Sequence, residues 1–117
     1  MTYNGPERRK HQRIGGRFIV SYRIVKDFSN VDTSQTKNLS QGGMLLTTNR
    51  KFSPGTILAL EIRLPFAQDS IRVTGKVLES HEVTKDLIYD TRIMFLKIKE
   101  KQKRVLDRTV DYYLKKG

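Results

Sequence analysis

Two short stretches of this 117-residue chain concentrate side chains suited to holding a ligand. The first is Glu7-Arg8-Arg9-Lys10-His11-Gln12-Arg13. Arginine presents a planar fork of N–H donors that matches two phosphate oxygens, or the O6/N7 edge of a guanine. The second is Asn38-Leu39-Ser40-Gln41-Gly42-Gly43. Adjacent glycines permit positive φ and close backbone approach. Asn38 and Ser40, two positions apart, set two hydrogen-bonding side chains on the same side of an extended segment. Taken singly, each stretch has an ordinary explanation. Cations near a terminus are commonly a solvated tail, and Asn, Ser and Gly are turn formers.

Catalysis finds little support. The histidines are His11 and His81, and there is no cysteine. No His-Glu-x-x-His, Cys pair or Gly-x-Ser-x-Gly is present, so neither a zinc site nor a serine nucleophile is signalled. The carboxylates are scattered, without a spacing that suggests acid–base work. A chain of this kind is expected to be no enzyme, to hold no metal and to need no cofactor.

The elements that must position the two stretches follow from periodicity. Arg17–Val25 sets Phe18, Val20, Tyr22 and Ile24 on one parity, a strand pattern. Ile57–Leu64 does the same with Leu58, Leu60, Ile62 and Leu64, after the turn signal Ser53-Pro54-Gly55. Ile71–Val83 alternates through Ile71, Val73, Gly75 and Val77, after which Glu79 and His81 leave the pattern. Met44–Thr48 and Ile88–Ile98 supply two further strands. Short strands with no helical pattern between them argue for an antiparallel sheet closed or folded on itself. The chain then changes period. Val105, Leu106, Thr109, Val110, Tyr113 and Leu114 form the stripe of an amphipathic helix of about four turns, which packs on the sheet or on a partner. Residues 1–16 lack apolar periodicity and read as a mobile basic arm.

Charge narrows the partner. The formal net charge is +11, and the excess sits at the two ends. Residues 1–26 carry seven cations against Glu7, while residues 27–96 are balanced. Such a field favours an anionic partner: nucleic acid, a nucleotide, a phospholipid surface or an acidic protein. No apolar run approaches the roughly 20 residues of a membrane span, and no signal-peptide core follows the first cations. A cytoplasmic location is therefore expected.

Taken together the two stretches are far more specific. Arg9-x-x-x-Arg13 followed by Asn38-x-Ser40-x-x-Gly43, with a strand between them, resembles the paired signature of the PilZ domain family of bacterial cyclic di-GMP receptors. The resemblance covers essentially the whole chain. It implies an all-β fold, a small antiparallel six-stranded β-barrel with a C-terminal helix. The expected division is an arm at 1–16, a barrel at 17–98 and a helix at 99–116. It further implies that Arg9 and Arg13 grip the phosphates and guanine edges of the ligand. Arg8 matches a position where a further arginine goes with two intercalated ligand molecules. Asn38 and Ser40 match the positions that hydrogen-bond a guanine, with Gly43, and Gly42 as its backbone neighbour, completing the motif. Two departures stand out. Asn38 occupies a position where many members carry Asp, and Thr91-Arg92-Ile93-Met94-Phe95 lacks the glycine usual before the last-strand phenylalanine.

The resemblance thus leads to a receptor that signals to a protein partner in motility, adhesion or polysaccharide machinery, as monomer or homodimer. Two alternatives remain: a basic domain that binds nucleic acid through phosphates, which is expected to be strongly salt-dependent, and a PilZ-like adaptor that binds no ligand.

Overall fold

The computed structural model describes residues 12–65 and 67–116. Six strands form: β1 (Ile19–Ile24), β2 (Asp32–Leu39), β3 (Gly43–Thr48), β4 (Ile57–Ile62), β5 (Ile71–Thr84) and β6 (Ile88–Ile98). All neighbours are antiparallel, and the sheet closes on itself in the order β1-β2-β3-β6-β5-β4. The single helix, α1 (Glu100–Lys116), follows β6 directly.

The alternating apolar residues point inward. Val20, Tyr22, Met44, Leu46, Leu58, Leu60, Ile62, Ile71, Val73, Val77 and Ile93 fill one core. Burial pushes the Tyr22 phenol above its ordinary range. β2 is the strand that apolar alternation does not reveal. Its sequence DTSQTKNL has a single apolar residue, Leu39. Thr36 nevertheless points inward, fully buried, because its hydroxyl is satisfied: it accepts from Phe18 N–H at 3.0 Å and donates to the Gly16 carbonyl at 2.8 Å. That pair of bonds ties the segment entering β1 to β2.

The helix stripe belongs to the same core. Leu106 and Val110 are fully buried, and Tyr113 meets Phe18 edge to face with ring centroids 5.5 Å apart. Gln102 Oε1 accepts from Arg72 N–H at 3.1 Å, fixing the first turns of α1 to the start of β5. Glu100 in the first turn, and Lys115 and Lys116 in the last, complement the helix dipole. Leu114, by contrast, is left exposed.

β3 and β6 pack unusually close. A Cβ on Gly43 would lie 2.2 Å from the Ile93 carbonyl oxygen, so only glycine fits. Gly43 stands opposite Met94, so the clearance comes from β3, in a stretch where β6 carries no glycine of its own. Beyond the barrel, β5 and β6 continue as a two-stranded ribbon to a turn at Lys85–Leu87, where Asp86 has φ 57°.

Two expectations follow. Leu106→Ala removes fully buried methyls shared by helix and barrel, and should cost about 2–5 kcal/mol of unfolding free energy. A urea transition that remains single would show helix and sheet melting together, whereas early loss of helix alone would contradict the shared core. Gly43→Ala forces β3 from β6 and should cost about 1–3 kcal/mol or more. An unchanged melting temperature would mean that the close approach is not enforced.

Candidate functional site

The site begins with one extra residue in β2. Thr36 pairs with Leu46, but Asn38 pairs with Leu45, so Lys37 is inserted without a partner. Side chains along a strand alternate, so Thr36 inward would make Asn38 inward as well. The bulge resets the parity. Leu39 now points into the core, and Asn38 turns outward.

Leu39 then anchors the chain ahead of β1. Ile14 and Leu39 form an isolated antiparallel bridge, with hydrogen bonds of 2.8 and 2.9 Å in the two directions. Both side chains are buried. Antiparallel register from this bridge places Arg13 beside Ser40. One arginine of the first motif is thereby brought to the second motif. Arg8 and Arg9 lie outside the described residues, as does most of the segment expected as an arm.

The motif residues divide into two kinds. Ser40 is turned to its own turn: its hydroxyl accepts from the Gly42 and Gly43 N–H groups and donates to the Gly43 carbonyl, each at 3.2 Å. The Ser40 N–H also donates to the Gly43 carbonyl at 2.9 Å, and the Gly42 carbonyl accepts from Phe95 N–H at the same distance. Ser40, Gly42 and Gly43 therefore build the β2–β3 corner. Asn38 is different. Its Oδ1 is buried and has no hydrogen-bond partner among the described residues. A buried acceptor left so costs about 1–3 kcal/mol unless something supplies a donor.

Around Asn38 the outward side chains fall into rungs across the sheet. Asn38 stands beside Leu45 on β3, Leu45 beside Arg92 on β6, and Arg92 beside Glu79 on β5. On one side, Gly43 pairs with the exposed Met94. On the other, Thr47 pairs with Asp90, whose carboxylate is 2.8 Å from Lys37 Nζ. Arg92 Nε is 3.7 Å from Glu79 and, like Asn38 Oδ1, is buried without a hydrogen-bond partner among the described residues. Neither Leu45 nor Arg92 was signalled by a motif. Parity marks Leu45 as outward, but its neighbours depend on the strand register.

His81 lies on the exposed ribbon opposite Asp90. Among the described residues, no group of three or more His, Cys, Asp or Glu is placed to hold a metal, and no helix is long and apolar enough to cross a membrane. A groove of about 560 Å³ runs over another part of the wall, where β1, β4 and β5 meet the end of β6. It is lined by Arg23, Ala59, Glu61, Arg72 and Lys97 among others, and none of the described motif residues lines it. Its size alone does not outweigh the orphaned acceptor and the bridged arginine.

Comparison with known proteins identifies the family and the fold. The family model described as PilZ domain matches residues 7–112. No curated protein sequence matches the chain. Among solved structures, the chain is similar to the PilZ domain with c-di-GMP of YcgR from Escherichia coli. That likeness has TM-score 0.70 and 16% identity, and covers 94% of each chain. It is also similar to the Bacillus subtilis inhibitor of motility MotI/DgrA, at TM-score 0.76 and 19% identity, covering 95% of this chain and 51% of that one. The MrkH–c-di-GMP complex of K. pneumonia gives TM-score 0.71 and 18% identity, with 95% and 55% covered. The chain thus spans about half the length of MotI and MrkH. With both motif stretches inside the matched region and the same barrel beneath them, the chain belongs to the PilZ domain family.

Proposed function

We propose that this chain is a non-catalytic receptor for cyclic di-GMP. The observation that carries the reading is Asn38 Oδ1, an acceptor without a hydrogen-bond partner among the described residues, on an outward-facing side chain beside the segment that holds Arg13. A guanine N–H edge is a suitable donor for it. Family membership supports the reading, as do relatives whose structures are described with c-di-GMP.

Arg9 and Arg13 supply positive charge and forked donors for the two phosphates and the guanine edges. Arg9 precedes Arg13 by four residues, so its Cα lies within about 14 Å of it. Arg8 adds a third fork suited to a second stacked ligand molecule. Ser40, Gly42 and Gly43 hold the corner against which the base edge is read. Binding that folds the arm of residues 5–16 over the ligand changes the surface offered to a protein partner in motility, adhesion or polysaccharide machinery. Such a receptor works in the cytoplasm.

Isothermal titration at two salt concentrations, with GTP as control, tests the proposal. Saturable binding of cyclic di-GMP that excludes GTP is expected. The absence of heat at both salts, with tight but salt-sensitive binding to duplex DNA, would instead favour the nucleic-acid reading.

Two variants sharpen the test. Arg9→Ala combined with Arg13→Ala should weaken binding at least about tenfold. Asn38→Asp should tighten binding several-fold, because hydrogen bonds to an ionised acceptor are about twice as strong as neutral ones. Weaker binding by Asn38→Asp, in a variant with an unchanged melting curve, would remove Asn38 from the guanine edge.

A further inference from the structure

The rung Asn38–Leu45–Arg92 has features that the two motifs do not explain. At one end is a buried acceptor, Asn38 Oδ1, and at the other a buried donor, Arg92 Nε, neither with a hydrogen-bond partner among the described residues. Between them lies Leu45, half-buried on the outer face, with the exposed Met94 on the neighbouring rung. Two interstrand steps separate the ends, roughly 10 Å. An apolar floor edged by an acceptor on one side and a donor fork on the other suits a flat heterocycle with donors along one edge and an acceptor pair along another.

Guanine has that pattern. Its N1–H and exocyclic N2 amine are donors, and O6 with N7 forms an acceptor pair that arginine reads with two parallel bonds. We propose that one guanine of the ligand lies flat on Leu45, giving its N–H edge to Asn38 Oδ1 and its O6/N7 edge to Arg92, so that Arg92 is a specificity-determining residue of this site. The proposal rests on the cyclic di-GMP reading.

Arg92 is available for this role. Its ion partner Glu79 is 3.7 Å away, beyond hydrogen-bond length, and both side chains are about half exposed, at 41% and 59%. Pairs of this kind are weak, so exchanging Glu79 for a base edge sacrifices little. The Lys37–Asp90 pair closes the next rung and keeps that carboxylate occupied.

The test uses three ligands: cyclic di-GMP, its 7-deaza analogue (N7 replaced by CH) and the inosine analogue that lacks the N2 amine. Titration of the unaltered protein should show each analogue binding at least about fivefold more weakly than cyclic di-GMP. In Arg92→Ala the 7-deaza penalty should fall while the inosine penalty persists at full size. In Asn38→Ala the pattern should reverse. Arg92→Lys keeps the charge without the fork, and should lower the 7-deaza penalty likewise; it serves equally if the alanine variant is unstable. Glu79→Gln should tighten cyclic di-GMP modestly. A 7-deaza penalty undiminished in Arg92→Ala and Arg92→Lys would overturn the proposal, as would unchanged cyclic di-GMP affinity in both. Failure of the unaltered protein to bind cyclic di-GMP would instead overturn the receptor reading itself, and this inference with it.

Discussion

A strand that must send both Thr36 and Leu39 into a barrel interior cannot do so with regular alternation, since three steps reverse the facing of a side chain. The unpaired Lys37 resolves that conflict, and the surrounding structure depends on it. Before the bulge, the Thr36 hydroxyl holds Gly16 and Phe18; after it, the Leu39 backbone holds Ile14. The segment ahead of β1 is thus fastened on both sides of the irregularity. Asn38, caught between these anchors, is the residue turned to the outside.

The same constraint explains why the second motif is a mixture of residue types. Gly43 is demanded by the Ile93 carbonyl, and Ser40 by the N–H groups of the corner it closes. Neither needs a ligand to account for it. Asn38 differs, because its acceptor has no hydrogen-bond donor among the described residues. A signature that looks uniform in sequence therefore combines scaffold and presentation, with scaffold positions outnumbering the one that faces out.

Much of this was legible in the residues. The strands at 17–25, 44–48, 57–64, 71–83 and 88–98 and the closing helix stand out by period, and Val77 marks where β5 leaves the core. β2 was not legible, because its one deeply buried polar residue, Thr36, is satisfied by bonds to residues far ahead in the chain. The bulge was hidden for the same reason: no local pattern reports a partner strand's register. The spacing of Asn38 and Ser40 does not reveal that the Ser40 hydroxyl also closes the turn, which only its hydrogen bonds show. Arg92 falls in a stretch that looked merely deficient in glycine. Its place beside Leu45 follows only once β3 and β6 are paired.

The outward rungs draw on β2, β3, β5 and β6, which lie side by side only once β3 has paired with the distant β6 and β6 with β5. No fragment of the unfolded chain reproduces that surface. A small molecule that recognises it is bound by the native ensemble alone, so occupancy displaces the folding equilibrium by mass action, about 2.7 kcal/mol at a hundredfold excess over Kd. For a barrel dominated by distant pairings, which is slow to form, a ligand of that kind would then hold the polypeptide folded as well as occupy its surface.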